Sequence, residues 1–158
     1  MSRYDYSCAT FIGGKEGFIV VRKHRADGTW SPWHLPNGKK DEEDYDEVST
    51  ALREVREETG IPLDASDISH IFKEKRTVQK KTRNGFHVHP YIQHYFAIYQ
   101  DPDDLAFPLC PEDHDHQARL MTFEEFESST NFDPWHRRFI KEVVTLTLNG
   151  SHRLSACE

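Results

Sequence analysis

The chain has 158 residues, 36% hydrophobic and 12% aromatic, enough for one domain with a sizeable core and against disorder despite 30% charged residues. A formal net charge of −7 excludes a general nucleic-acid coat protein, which carries a basic footprint, but not phosphate substrates, because a bound cation reverses the sign that a ligand meets. No apolar run nears the ~20 residues of a membrane span and the N-terminus lacks a signal-peptide core, so a soluble, cytoplasmic protein without a membrane partner is expected. Cys8, Cys110 and Cys157 are far apart and odd in number, which fits a reducing compartment without disulfides.

In chain order, Ala9–Ile12 and Phe18–Arg22 read as strands around a turn, Gly13-Gly14-Lys15-Glu16-Gly17, and Arg25–Pro32 as a loop. Val48, Ala51, Leu52 and Val55 then recur at i, i+3, i+4 and i+7, the apolar stripe of a helix that Gly60 stops. Ile68–Val78 predicts a strand, Gln79–Gly85 a polar turn, and Val88–Tyr99 a second long strand ended by Asp101-Pro102-Asp103-Asp104. A loop of about twenty residues follows, a length that is usually functional or mobile. Thr122 and Glu125 form a capping box for a short helix, and Asp133-Pro134 opens a final helix burying Phe139, Ile140, Val143 and Val144. Residues 1–150 read as a single domain and 151–158 as a flexible tail. This order of strands and helices predicts an α/β sandwich.

The acidic helix carries the chemistry. Glu54, Glu57 and Glu58 lie at i, i+3 and i+4, so like charges share one face and need a positive partner. A hard divalent cation with oxygen ligands meets that need, and Mg²⁺ is usually held by a few carboxylates together with substrate phosphates. Arg53, four residues before Glu57, is within reach to orient it. The segment Gly38–Ile61 resembles the Nudix box, G-x5-E-x7-R-E-U-x-E-E-x-G-U with U aliphatic, and Arg53, Glu54, Val55, Glu57, Glu58, Gly60 and Ile61 match its right half at every specified position. The left half departs: the residue six after Gly38 is Asp44, eight residues then separate it from Arg53, and Tyr45 stands in register with Arg53. A one-residue insertion accounts for this, with Asp44, Glu43 or Glu42 standing in for the usual Glu. Trp33-His34-Leu35-Pro36-Asn37-Gly38 is similar to the family's lead-in, whose glycine region brings backbone carbonyls to the metal.

The resemblance implies a Nudix-type α/β/α sandwich with a mixed sheet, and Mg²⁺- or Mn²⁺-dependent hydrolysis of a nucleoside diphosphate linked to another moiety: a nucleotide, sugar, polyphosphate or RNA end. It also implies Glu54, Glu57, Glu58 and the Gly38 carbonyl as metal ligands, with Arg53 positioning a glutamate. The altered left half keeps open a second reading, a Nudix-fold nucleotide sensor that does not hydrolyse its ligand. Many members have a further acid downstream, for which Glu112, Asp113 and Asp115 are the nearest candidates, with Glu124 and Glu125 next. Lys80, Lys81 and Arg83, in a basic segment of an acidic chain, are candidate phosphate contacts, although charge runs normally face water. Trp30 and Trp33 are candidates for stacking on a nucleobase, against a default of ordinary packing. The pairs His87/His89 and His114/His116 suit hydrogen bonding beside a polar cleft better than zinc, since neither has a certain third ligand. Oligomeric state stays open, a homodimer included.

Overall fold

The computed structural model describes residues 5–102 and 108–149. Its strands are β1 (Asp5–Gly14), β2 (Gly17–Lys23), β3 (Asn37–Lys39), β4 (Ser69–Thr82), β5 (Gly85–Tyr99) and β6 (His116–Met121). They form one mixed sheet in the order β4-β5-β1-β2-β6, with β3 also paired to β1. The β1–β5 pairing is parallel and the others are antiparallel. Helix α1 (Glu47–Thr59) lies between β3 and β4, whereas α2 (Phe123–Ser128) and α3 (Pro134–Phe139) follow β6, and α3 runs on through a π-helical turn at Ile140–Val144.

Alternation along β1 divides the core in two, because successive strand side chains point to opposite faces. Cys8 and Ile12 join Ala51 and Val55 of α1, while Ala9 and Phe11 join Phe126 of α2 and Phe139, Ile140 and Val144 of the last helix. Helices thus cover both faces, the expected sandwich.

The site is positioned by a fork in the sheet. β1 pairs with β2 only at its end, Gly13↔Phe18 and Gly14↔Gly17, while its first half pairs with β3 through Ser7↔Lys39, Cys8↔Gly38 and Ala9↔Asn37. The segment before β3 spans the gap, with Val21 bridged to His34 and the Thr10 N–H donating to Pro36 O at 3.0 Å. Helix α1 starts where Asp46 accepts from the Ser49 N–H at 2.8 Å, satisfying an orphan donor of the first turn. It ends at Gly60, whose φ of 80° is the left-handed conformation that a side chain resists. The returning chain is tied to that end, since the Cys110 N–H donates to Thr59 O at 2.9 Å and the Asp113 N–H to Glu57 O at 3.0 Å.

Two expectations are corrected and one strand is new. β4 and β5 continue to a turn at Arg83–Asn84 in place of the predicted break at Gln79–Gly85, with Lys80 facing His87 and Lys81 facing Phe86. In a two-stranded extension both faces meet water, so pairing there needs no hydrophobic alternation. The predicted twenty-residue loop gives way at His116 to β6, whose polar sequence hides a strand specified by its six partners on β2. β3 was not foreseen, because three residues carry no periodicity. The predicted strand end at Asp103-Asp104, the tail from Ser151 and Cys157 lie outside the described residues, within which Cys8 and Cys110 are free. Among the described residues no helix is long and apolar enough to cross a membrane.

A Cβ at Gly60 would lie 2.3 Å from Cys110 O, besides occupying a left-handed φ. Gly60→Ala should cost more than about 1 kcal/mol, the usual loss where Ala is forced to positive φ, as read by urea denaturation. An unchanged midpoint would show that the helix end and the 110–113 segment rearrange freely.

Candidate active site

Arg53 is the hub of the acidic face. Its Nε donates to Asp44 Oδ1 at 3.0 Å and its Nη2 to Asp44 Oδ2 at 2.9 Å, a two-pronged pair. Nη1 donates to Glu54 Oε1 at 2.8 Å and Glu57 Oε2 at 3.0 Å, and Nη2 also reaches Lys39 O at 2.8 Å. One guanidinium therefore binds the loop before α1, the main chain of β3 and two of the three glutamates. Asp44, almost enclosed, also accepts from the Asp41 N–H and Thr50 Oγ1. Burial alone would raise its pKa, but these hydrogen bonds and the Arg53 charge together hold it below the usual carboxylate value. Arg53 is raised in turn, chiefly by its bond to Asp44.

Glu54 lies against Gly38: a Cβ there would stand 2.0 Å from the Glu54 carboxyl carbon, so only glycine leaves space for the carboxylate beside β3. Burial first, and the neighbouring Glu58 charge second, push the Glu54 pKa up to about 7 despite Arg53. Glu58, 2% exposed, accepts from the Asn37 N–H at 2.7 Å and faces His116 Nε2 at 3.1 Å. The Glu58 hydrogen bond raises the His116 pKa against the opposing effect of burial. The other His116 nitrogen meets Asp115 at 2.9 Å and Asp113 at 3.7 Å, and Glu112 pairs with Arg56 at 3.5 Å. Asp113, Asp115 and His116 are the one trio of potential metal ligands, among the described residues, whose ligand atoms lie within 4.8 Å of one another.

A cleft of about 850 Å³ reaches this face at Gly38, lined by Asn37, Gly38 and Lys39 of β3 and by residues of β1, β4, β5 and α3, but by none of α1. The structure thus gathers Arg53, Glu54, Glu57, Glu58, Gly38 and Asp44, with Asp113 and Asp115 reaching Glu58 only through His116. Tyr45 is 93% exposed and stands apart. Of the candidate phosphate contacts, Lys80 lines the cleft, whereas Lys81 and Arg83 lie at the hairpin end. Trp30 and Trp33 do not line it: Trp33 is buried in the core, and Arg22 sits over both rings at 4.3 and 4.7 Å. Trp135 and Arg76 do, with the guanidinium 4.5 Å from the indole centroid. Trp135, Arg76, Gln93, His116 and His136 went unnoticed in the sequence except as members of a basic run, an alternate His pair or a helix start. Their shared location is set by strand register alone.

A family model of the NUDIX domain matches residues 1–143. Among solved structures, the chain is similar to the NUDIX domain of Shewanella oneidensis NrtR, complexed with ADP ribose, at TM-score 0.64 and 12% identity over 93% of this chain and 90% of that one. A MutT/nudix family protein from Enterococcus faecalis matches at TM-score 0.56 and 14% identity, over 77% of this chain and 45% of that one. A bifunctional NMN adenylyltransferase/ADP ribose pyrophosphatase from Francisella tularensis, complexed with AMP and a Mn ion, matches at TM-score 0.58 and 15% identity, over 92% of this chain and 42% of that one. The chain thus spans less than half the length of the last two. At such identities the likeness is one of fold.

Two outcomes follow from the electrostatics. The folded pKa of Glu54 lies above the ordinary 4.5, so its stabilising proton is fully present below pH 4.5 and is lost as pH rises through about 7. In metal-free protein, Glu54→Gln should gain on the order of 2 kcal/mol over the parent at about pH 8, after allowance for solvent screening, and nothing at pH 4. Denaturation curves in chelator would test this, and a pH-independent difference would refute it. Asp44→Asn should cost about 2 kcal/mol by leaving Arg53 half-paired, while Tyr45→Phe should be silent; equal midpoints for the two variants would remove Asp44 from the network.

Proposed function

The chain belongs to the Nudix family, and from that premise we propose that it is a metal-dependent pyrophosphohydrolase acting on a nucleoside diphosphate linked to another moiety. One observation carries this reading: Arg53 holds Glu54 and Glu57 beside the glycine of β3, at the edge of a cleft large enough for a nucleotide. The ligand complexes of the Shewanella and Francisella proteins are in keeping with it.

The donor chemistry suits a hard cation: three carboxylates, one of them pushed up to about pKa 7 by burial first and the Glu58 charge second, beside the backbone of a glycine whose Cβ would meet the Glu54 carboxylate. Glu54, Glu57, Glu58 and the Gly38 carbonyl would hold Mg²⁺ or Mn²⁺, which when bound neutralises phosphate charge and acidifies water. The residues divide the remaining work. Both Glu58 oxygens are engaged, by the Asn37 N–H and His116, so Glu58 is held rigid and serves poorly as a base. Glu54 Oε2 makes no hydrogen bond among the described residues, which leaves it freer than Glu58 to take a proton from water. Arg53 touches no reacting atom and keeps two carboxylates aimed. Lys39, Lys40 and Lys80 bring positive charge to the cleft wall, where the polyphosphate chain passes.

Phosphate release should be abolished by chelation and restored by Mg²⁺ or Mn²⁺ on at least one member of a panel of dinucleoside polyphosphates, nucleotide sugars, nucleoside triphosphates and capped RNA ends. Glu57→Gln and Glu58→Gln should each cut kcat by about 10²-fold or more, with little change in Tm for the half-exposed Glu57 and a lower Tm for Glu58, whose buried pair with His116 is broken. Ligand-induced thermal stabilisation without turnover across the panel would point to the sensor reading. Neutralising Lys80 should raise KM more for longer polyphosphates than for diphosphates; equal kinetics would return it to a solvated role.

A further inference from the structure

Between Glu74 and Asp101 the chain holds five cations and no acid, although its net charge is −7. This stretch takes in the outer half of β4 and all of β5, and it projects from the sheet. β1 begins at Asp5 opposite Tyr91, so beyond that pair the β4–β5 ribbon has no third strand among the described residues. Residues opposite one another, and alternate residues along a strand, share a face. One face of the ribbon, with Val78, Lys80, His89 and Tyr91, is a wall of the cleft. The other continues the surface covered by α1, since Phe96 packs with Ala51 and Val55 and His94 Nε2 lies 3.9 Å from Glu47. Outward from His94 this second face carries an unbroken apolar row on β5: Ile92, Pro90, Val88 and Phe86, the last two 54% and 71% exposed. An apolar row on a projecting ribbon is a contact surface rather than core.

The charges at its two ends indicate what it meets. At the tip, Lys81 opposite Phe86 and Arg83 in the turn make no ion pair among the described residues. At the base, six of the seven residues from Asp41 to Glu47 are acidic, and the seventh is the exposed Tyr45. Asp44 is bound by Arg53 and Asp46 caps α1, whereas the Glu42 and Glu43 carboxylates are also unpaired among the described residues. This loop stands beside the base of the ribbon, because Glu47 faces His94 and the Lys40 ammonium lies over the ring of Tyr6, the β1 residue opposite Ile92. Tip and loop cannot meet within one molecule: Phe86 is eight residues along β5 from His94, about 26 Å of extended chain.

We propose that this face is the contact surface for a second copy of the chain, two ribbons crossing obliquely about a two-fold axis so that each tip, Lys81 and Arg83, lies on the other's acidic loop. The axis passes near Val88 and Pro90, where the two apolar rows stack, and one face supplies both halves of the contact. Uncharged residues in the middle with opposite charges at the two ends match the anatomy of an interface, an apolar centre inside a polar rim. A nucleic acid would meet the same cations but be repelled by the loop at the base. The contact does not depend on whether the chain hydrolyses its ligand, so it stands apart from the hydrolase reading.

Sedimentation velocity of the full chain should show a dimer at about 100 µM in low salt, weakened at least tenfold at an ionic strength of about 0.5 M. Val88→Lys, at an exposed position near the axis, should give monomers with an unchanged unfolding midpoint. Lys81→Glu/Arg83→Glu and Glu42→Lys/Glu43→Lys should each be monomeric as well, since like charges then face each other across both contacts. An equimolar mixture of these two double variants should dimerise again, because the reversed tip meets the reversed loop at one contact and the native pair forms at the other. A monomeric parent, a dimer indifferent to Val88→Lys, or a mixture that stays monomeric would overturn the proposal. A monomeric parent that binds a single-stranded oligonucleotide through Lys81 and Arg83 would overturn it in favour of nucleic acid.

Discussion

A helix with three glutamates on one face would repel itself, and the protein resolves this with a single guanidinium. Arg53 is planar and permanently charged, and its donors meet Asp44, Glu54, Glu57 and the Lys39 carbonyl at once. A lysine in its place could present charge but not this fan of directions. The network fastens three separate pieces of chain, namely the loop before α1, the helix itself and β3, so the geometry of the acidic face and the edge of the cleft are set together. The cost of bringing Glu54 into so enclosed a place appears in its raised pKa, and a bound cation would relieve it.

The second constraint is the fork at β1. Were β2 and β3 one continuous partner, no space would open between the sheet and the lead-in segment. Because β2 leaves after two residue pairs and β3 takes over the first half of β1, Gly38 arrives under Glu54 with no side chain between its backbone and the carboxylate. The anchoring of residues 110–113 on the end of α1 does the same for the other side, carrying His116 to Glu58. Both faces of the site are therefore held by main-chain hydrogen bonds, which resist change more than side-chain contacts do.

The sequence by itself determined whatever depends on neighbours within one or two helical turns: the stripe from Val48 to Val55, the stop at Gly60, the caps at Thr122 and Asp133, and the carboxylates with Arg53 on one face of α1. These are short-range, so local spacing and residue type suffice. The choice among Asp44, Glu43 and Glu42 could not be made locally, because it turns on which carboxylate the incoming loop delivers to Arg53; the structure delivers Asp44. The polar strands β6 and the outer β4–β5 ribbon were illegible for a related reason, as their pairing is specified by partners distant in sequence rather than by their own pattern. The Trp30 and Trp33 expectation was drawn from proximity to Gly38 in the chain, but the bridge from Val21 to His34 turns that segment inward and packs Trp33 into the core. What only tertiary structure decided is the cleft lining: Asn37, Gln93 and His136 are spread over a hundred residues and meet because strand register and a helix start place them together, which no periodicity in one chain records.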